Sequence, residues 1–210
     1  MKCRKSLLIS FMVLFFSGVV FGQSFTLENV CSKLAEHPNM KGDFSQVKTI
    51  KKVNRSLKSS GKFIFSLDGI MWQTEKPFPS SIIVGMTSIV QTMPDGSKNV
   101  IDASSNQIFA SIATTLSSIF SGNIVGLQAN FDVNFSTNGN IWTAELSPKD
   151  DAVSMILKKL IVSGTYTPSF AEMDKIVMEE SSGDTITYSF TNRNYPKELT
   201  ADEKSIFVSK

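Results

Sequence analysis

The chain of 210 residues carries 21 basic and 19 acidic residues, and 41% of its residues are hydrophobic. Three of the basic residues lie within the first five positions, so the formal net charge falls from +2 for the whole chain to −1 for the chain from Gln23 onward. Nucleic-acid binding depends on many lysine and arginine contacts to phosphates. We therefore expect no nucleic-acid partner.

The first 22 residues have the pattern of a cleaved export signal. A basic start is followed by an apolar run over residues 7–16, which is too short to span a bilayer as a helix of roughly 20 residues. Val20 and Gly22 are small enough for a signal peptidase that cuts after Gly22. No cysteine directly follows the apolar run, so we expect no lipid anchor. The sequence predicts an exported protein with a signal peptide over residues 1–22 and a single domain over residues 23–210.

A short amphipathic helix is the first element predicted after the signal. Ser24 or Thr26 is its candidate N-cap, and Pro38 ends it. The apolar residues at helical spacing are Leu27, Val30, Cys31 and Leu34. Cys31 is the only cysteine left after export, which excludes an intramolecular disulfide, and its position predicts a buried thiol.

The pattern changes to alternation after this helix, which predicts strands. "GDFSQVKTIKKV", "SLKSSGKFIFSL" and "GIMWQTEKP" come first, and a turn at Asp68-Gly69 joins the last two. Alternation puts Phe63 and Phe65 on one face of the sheet and Ile64 on the other. Further strands are predicted in "SSIIVGM", "SIVQTM", "KNVIDA", "ANFDVNFST", "GNIWTAEL", "VSMILKKLIVSG", "MDKIVMEES" and "TITYSFTN", with "KSIFVSK" as a final edge strand. We expect a large, mostly antiparallel sheet of roughly ten strands that curls or closes.

The stretch from Lys48 to Lys62 holds six basic residues and no acidic one. One interpretation is a solvated hairpin whose lysines protect a sheet edge. The other is a surface that docks to anionic lipid headgroups or to an acidic partner.

A second unusual stretch lies between Asp102 and Asp132, where no residue is charged. It predicts a helix with one apolar face, formed by Ile108, Phe109, Ile112, Leu116, Ile119 and Phe120. The opposite face carries serine, threonine and asparagine instead of lysine and glutamate. Two interpretations fit: a buried core helix, or a lid over an apolar cavity.

Patterns that would indicate catalysis are absent or incomplete. The single histidine, His37, lies at a helix end without the partners of a metal cluster or a catalytic triad, and we expect it to be exposed. No nucleophile-elbow, zinc-protease, P-loop or Rossmann pattern occurs. The acidic pairs Asp150-Asp151 and Glu179-Glu180 are predicted at turns or strand ends, away from the aromatic stretches. We therefore expect that the protein is not an enzyme and holds no metal.

Several stretches resemble the periplasmic outer-membrane lipoprotein carrier (LolA-type) family. They are "FSQ" at residues 44–46, "SSGKFIF…GIMWQTEKP" with Trp72 and Pro77, the mid-chain helix, "GNIWTAELSPK" around Trp142 and Pro148, and "IVMEESSGDTITYSFTN". They follow one another in order over the whole chain after the signal. In the family, an arginine a few residues before the tryptophan of the aromatic strand holds the lid closed. Residues 65–69 contain no arginine, which places the chain in a divergent branch whose cargo is a lipoprotein or another lipid, such as a glycolipid.

The resemblance implies a mainly β fold: an unclosed antiparallel half-barrel of roughly ten to eleven strands, covered by lid helices. It implies a monomeric periplasmic chaperone that carries acyl chains from the inner to the outer membrane without a cofactor. The implied partners are the lipid cargo, an ATP-driven releasing complex in the inner membrane and an outer-membrane receptor.

Candidate lipid-binding residues divide between the sheet and the lid. The sheet candidates are Phe44, Phe63, Phe65, Trp72, Ile82 and Val84. The lid candidates are Ile108, Phe109, Ile112, Leu116 and Phe120. The alternative function is that of a small outer-membrane β-barrel protein, which the predicted helices and strands such as "VKTIKK" disfavour because they lack a clean lipid-facing band. A third hypothesis, a hydrolase, requires carboxylates brought together in one cleft.

Overall fold

The structure, a computed structural model, describes residues 25–85, 88–102, 114–115, 117–119 and 121–208. The predicted signal peptide lies outside these residues. So do five candidates for the lid, namely Ile108, Phe109, Ile112, Leu116 and Phe120.

Eleven strands form one antiparallel sheet in the order β6-β5-β4-β3-β2-β1-β11-β10-β9-β8-β7. The strands are β1 (Met40–Ile50), β2 (Arg55–Ser66), β3 (Gly69–Lys76), β4 (Ser80–Val84), β5 (Ser88–Thr92), β6 (Lys98–Asp102), β7 (Phe131–Asn138), β8 (Ile141–Pro148), β9 (Leu157–Thr167), β10 (Phe170–Glu180) and β11 (Thr185–Asn194). The first and last strands of the chain pair in the middle of the sheet, and β6 and β7 form its two edges. The sheet is therefore unclosed, which confirms the prediction of an antiparallel half-barrel.

Four short helices accompany the sheet within the described residues. They are α1 (Leu27–Ala35), α2 (Ile124–Asn130), α3 (Asp151–Ser154) and α4 (Ala201–Ser205), and a 3-10 turn covers Lys51–Val53. Residues 114–115 and 117–119 are also helical. In the part of the chain that the structure describes, no helix combines the length and the apolar character needed to cross a membrane.

Helix α1 forms as predicted and packs on one face of the sheet, which we call the inner face. Thr26 caps it, because its hydroxyl accepts a hydrogen bond from the N–H of Asn29 while the Asn29 side chain bonds back to the N–H of Thr26. The residues predicted to be apolar, Leu27, Val30, Cys31 and Leu34, are all buried. Cys31 is 1% exposed, so the prediction of a buried thiol is confirmed, and this burial raises the pKa of the thiol to about 12.

Alternation along the strands divides their side chains between the two faces, as predicted. Phe63 and Phe65 belong to the main core on the inner face, whereas Ile64 belongs to a smaller cluster on the other side, the outer face. Nearly every strand contributes buried side chains to the inner core. Among them are Phe44, Ile89, Phe131, Trp142, Val162, Ile176 and Phe190.

The C-terminal segment contradicts the prediction of a final edge strand in "KSIFVSK". Thr200 and Glu203 cap each other at the start of α4, and the chain then continues as a helix. Lys41 Nζ on β1 lies 2.6 Å from Glu203 Oε1. Phe207 follows the helix and packs with Ile64 and its neighbours on the outer face. The capping box and the burial of Phe207 outweigh the apolar alternation that suggested a strand.

Helices α2 and α3 also form where the sequence predicted a strand or a loop. Asn123 caps α2 by accepting a hydrogen bond from the N–H of Gly126 at 2.9 Å, and the next strand starts only at Phe131. Asp150 caps α3 by accepting from the N–H of Val153 at 3.0 Å, so the predicted strand "VSMILKKLIVSG" begins at Leu157. In both places a local side-chain cap favours a helical turn over the extended chain.

The connections between antiparallel strands lie alternately at two ends of the sheet, which we call the upper and lower rims. The upper rim carries the connections β1–β2, β3–β4, β5–β6, β8–β9 and β10–β11. Helix α1 leads into β1 at the lower rim, where Phe25 stacks on Tyr166 with ring centroids 4.3 Å apart. Because α1 packs from this lower end, the upper part of the inner face is left for a pocket.

Candidate functional site

A pocket of about 590 Å³ opens on the inner face at the upper rim. Strands β1 to β5, β10 and β11 contribute its walls. Its apolar lining includes Phe44, Trp72, Ile82, Ile176, Ile186 and Tyr188. The volume lies within the range of about 300–1,000 Å³ that is typical of small-molecule sites, and such sites are mostly apolar.

The floor of the pocket is a block of packed aromatic rings. Trp72 lies between Phe65 and Tyr188, with centroid distances of 5.1 and 5.7 Å, and Phe44 lies 5.9 Å from Tyr188. Phe63 and Phe65 each pack on Phe190 behind this layer. Offset and edge-on contacts of this kind stabilise aromatic clusters, so the rings of the floor stabilise one another.

The structure therefore separates the predicted sheet candidates into two groups. Phe44, Trp72 and Ile82 line the pocket. Phe63, Phe65 and Val84 lie on the same inner face but are buried in the core next to it. All five lid candidates lie outside the described residues, and their neighbour Ile119 is buried in the inner core.

Polar side chains surround the apolar floor. Ser59 donates a hydrogen bond to Gln46 Oε1 at 2.8 Å, and Lys48 Nζ donates to Glu180 Oε1 at 3.0 Å. The sequence predicts the Glu179-Glu180 pair away from the aromatic stretches, but Glu180 lines the pocket together with Tyr188. That prediction was wrong because β11 pairs with β1, which lies far from it in sequence, and β10 pairs with β11.

This arrangement offers little for acid–base chemistry. Hydrolysis by two carboxylates needs both acids in one cleft, and Glu180 is the only acid among the described residues that line the pocket. The described residues include no group of three or more His, Cys, Asp or Glu side chains placed to hold a metal ion. The pocket lining is mostly apolar, and its one carboxylate is paired with Lys48.

The two tryptophans differ in how their indole N–H groups are satisfied. Trp142 donates to the carbonyl oxygen of Glu172 at 3.1 Å. Trp72 Nε1 is buried and has no hydrogen-bond partner among the described residues. Burial also raises the pKa of Tyr188 to about 12. Both groups are therefore buried at the pocket floor.

A polar network closes the lower rim, away from the pocket. Arg193 binds the carboxylates of Asp174 and Glu172, and the Tyr195 hydroxyl contacts Glu172 Oε1 at 3.4 Å. The ring of His37 lies 5.4 Å from that of Tyr195, centroid to centroid, so His37 is half-buried here instead of exposed as predicted. Burial is the main cause that raises the pKa of Tyr195, followed by the negative charge of Glu172.

The sequence pattern does not predict that the two late strands contribute to the pocket. Ile176 and Met178 of β10 and Ile186 and Tyr188 of β11 all line it. The signal was present in "TITYSFTN", where Ile186, Tyr188 and Phe190 alternate with polar residues. What the sequence lacked was the pairing of β11 with β1, which brings this face beside Phe44.

Solved structures of similar fold are distant in sequence. A domain from Vibrio parahaemolyticus described as outer membrane lipoprotein-sorting aligns at 10% identity and a TM-score of 0.46, over 85% of this chain and 97% of that one. A DUF1329 family protein from Desulfovibrio piger aligns at 11% identity and a TM-score of 0.49, over 87% and 94%. An uncharacterised conserved protein from Thermus thermophilus aligns at 6% identity and a TM-score of 0.49, over 85% and 90%. At these scores the similarities decide nothing about function.

A comparison with curated proteins finds no match. A protein-family comparison does: the model of the outer membrane lipoprotein carrier protein LolA matches residues 36–205. This match confirms the resemblance and does not favour the alternative of a small outer-membrane β-barrel protein. The chain belongs to the LolA family of outer membrane lipoprotein carrier proteins.

Proposed function

We propose that the protein is a periplasmic chaperone that binds acyl chains in the upper-rim pocket and carries them from the inner to the outer membrane. The observation that carries this proposal is the pocket of about 590 Å³ with an aromatic and aliphatic floor, in a chain of this family. The cargo is the lipid part of a lipoprotein or of a related lipid such as a glycolipid.

The energetics of transfer support a closed apolar site. Each CH₂ group removed from water contributes about 0.8 kcal/mol, so a long acyl chain does not cross an aqueous compartment unprotected. A pocket with one carboxylate, already paired with Lys48, takes up such a chain without burying an unpaired charge.

The uncharged segment after β6 is the proposed lid. It connects β6 and β7, the two edges of the unclosed sheet. Its described end packs inward: Ile119 is buried in the inner core, and a Cβ built on Gly122 would lie 3.5 Å from Ala35 Cβ on α1. In this proposal Ile108, Phe109, Ile112, Leu116 and Phe120 contact the acyl chain from above.

The proposed carrier works as a monomer and exchanges cargo with two partners. An ATP-driven complex of the inner membrane releases the lipid to it, and an outer-membrane receptor accepts the lipid from it. Residues 65–69, at the end of β2 and the following turn, contain no arginine, so this stretch lacks the residue that closes the lid in the better-known carriers. Modest free-energy differences between open and closed states are sufficient for this exchange.

Ser59 and Ser60 provide a matched test of the pocket. Both are half-buried on β2, but Ser59 lines the pocket and Ser60 points to the outer face. We expect Ser59→Trp to fill the pocket and to weaken the uptake of a fluorescent fatty acid by about tenfold or more, because each displaced CH₂ contact contributes about 0.8 kcal/mol. The Ser60→Trp protein should bind the fluorescent fatty acid as the unmodified protein does. Fluorescence titration measures both affinities.

Native mass spectrometry of the protein purified from its own periplasm identifies the cargo. A bound acyl species that disappears in Ser59→Trp and persists in Ser60→Trp supports the proposal. Absence of any bound lipid, together with no uptake of the fluorescent fatty acid, rules the carrier function out.

A further inference from the structure

The upper rim exposes large apolar side chains on three separate connections. Val53 and Leu57 belong to the β1–β2 hairpin, Phe78 to the β3–β4 loop and Met93 to the β5–β6 loop. Leu57 is 58% exposed and Phe78 is 68% exposed. Single exposed apolar residues are ordinary, but here they share one end of the sheet.

The β1–β2 hairpin adds positive charge to the same rim. Lys52, Arg55 and Lys58 are exposed and form no ion pair among the described residues. Lys48, by contrast, is paired with Glu180 at 3.0 Å. The unpaired cations therefore cluster at the outermost part of the hairpin.

We propose that the upper rim docks on the surface of an anionic bilayer. In this arrangement Leu57 and Phe78 enter the headgroup region, and Lys52, Arg55 and Lys58 contact lipid phosphates. Apolar side chains flanked by lysine and arginine are the usual composition of segments that lie on membrane surfaces. Each such cation contributes about 1 kcal/mol near an anionic surface.

A bilayer fits this rim better than a folded protein partner does. The apolar side chains stand on three separate connections, whereas protein interfaces need a packed centre. A fluid surface accepts separate side chains without shape complementarity.

Docking in this way would place the pocket against the lipid. Phe78 and Met93 both line the pocket and stand exposed at its mouth. A lipid leaving the bilayer would then enter the pocket without crossing bulk water. This inference goes beyond the proposed carrier function, because surface binding is measured separately from uptake into the pocket.

Vesicle sedimentation tests the inference with the chain from Gln23 onward, in which the buried core spans Leu27 to Phe207. The probes are vesicles of phosphatidylcholine alone and of phosphatidylcholine mixed with phosphatidylglycerol. We expect binding to the mixed vesicles that weakens as salt is added, and little binding to phosphatidylcholine alone.

Leu57 and Leu67 form a matched pair for the apolar contribution. They are 58% and 56% exposed and lie at the upper and lower rims, respectively. Leu57→Ser should weaken binding to the mixed vesicles by about tenfold, whereas Leu67→Ser should leave it unchanged.

The charge contribution is tested by Lys52→Gln combined with Lys58→Gln. We expect binding to weaken by about fivefold for each charge removed. Lys197→Gln, at an exposed lysine that follows β11 at the lower rim, is the control.

The result that would overturn the inference is equal binding to both kinds of vesicle, no binding to either, or equal effects of Leu57→Ser and Leu67→Ser. If vesicle binding is absent while Ser59→Trp still blocks fatty-acid uptake, the carrier function stands and the rim does not dock on lipid. If uptake is absent while vesicle binding responds to Leu57→Ser as expected, the rim inference stands and the carrier function fails.

Discussion

At the scale of single residues, period two along β2 and β3 decides which side chains reach the pocket. Phe63 and Trp72 are direct partners across the two strands, and so are Phe65 and Ile70, so all four share the inner face. Ile64 and Met71 form the corresponding pair on the outer face. A shift of one residue in this register would exchange the two sets, so the register determines whether the pocket exists.

Gly61 is a residue on which this register depends. The pairing of β2 with β3 is irregular between Ser60 and Gly61, and a Cβ built on Gly61 would lie 1.9 Å from the carbonyl oxygen of Gln73. The backbone of β3 cannot move away without breaking the sheet.

We predict that Gly61→Ala lowers the free energy of unfolding by on the order of 4 kcal/mol, which is exceptional for a single methyl group. Urea denaturation followed by circular dichroism measures it. Ser60→Ala, one residue earlier, should change stability little. A Gly61→Ala protein of ordinary stability would show that the strands do not approach as closely as described.

At the scale of elements, the C-terminal segment has a structural role that its sequence pattern conceals. Alternating apolar residues suggested a strand, but α4 leads Phe207 onto the outer face, where Ile64, Met71 and Leu199 are also buried. A Cβ built on Gly69 would lie 2.8 Å from Phe207 Cδ1, so this ring packs directly on the β2–β3 hairpin. The segment thus covers the back of the strands that form the pocket.

We predict that Phe207→Ala lowers the free energy of unfolding by about 3 kcal/mol, as is usual when a buried aromatic ring is removed. Fatty-acid uptake should persist under conditions where the variant is folded, because the pocket lies on the opposite face. Val208→Ala is the control, since Val208 is exposed, and its effect should stay within about 0.5 kcal/mol. Loss of uptake in a folded Phe207→Ala protein would contradict the separation of the two faces.

At the scale of the whole molecule, burial in the inner core contributes to how stability depends on alkaline pH, as does the burial of Tyr195 at the lower rim. Burial raises the pKa of Cys31 from 9.0 to about 12 and that of Tyr188 from 10.0 to about 12. Both groups keep their protons in the folded chain at a pH where the unfolded chain has lost them. Their contribution to the free energy of unfolding is therefore fully present below about pH 9 and is lost as the pH rises towards 12.

We predict that the urea midpoint is constant up to about pH 8 and falls steeply above pH 10. The pKa difference of Tyr188 between the folded and the unfolded chain alone corresponds to about 3 kcal/mol in the free energy of unfolding. Cys31→Ala should remove the part of the decline that begins near pH 9, and it serves as the control. A midpoint that stays level up to pH 11 would mean that neither group is as buried as described.

The sequence was sufficient for features that depend on local pattern. Residues Leu27 to Leu34 predicted α1 and its buried thiol, and alternation predicted the two faces of β2. The strand predictions that were wrong or too long are those near side chains that cap a helix, at Asn123, Asp150 and Thr200. There the capped helical turn competes with the extended conformation. Capping depends on a hydrogen bond of a few ångströms, which periodicity does not report.

The sequence alone determined that the chain builds one antiparallel sheet with an aromatic inner face, because alternation is a property of neighbours along the chain. Only the tertiary structure decided that β11 lies beside β1 and that Ile176, Ile186 and Tyr188 therefore complete a pocket with Phe44 and Trp72. It also decided that Phe63, Phe65 and Val84 lie behind the pocket wall and that Glu180 reaches the pocket. These facts depend on contacts between residues more than a hundred positions apart, and such contacts are set by how the whole sheet curls and buries its apolar side.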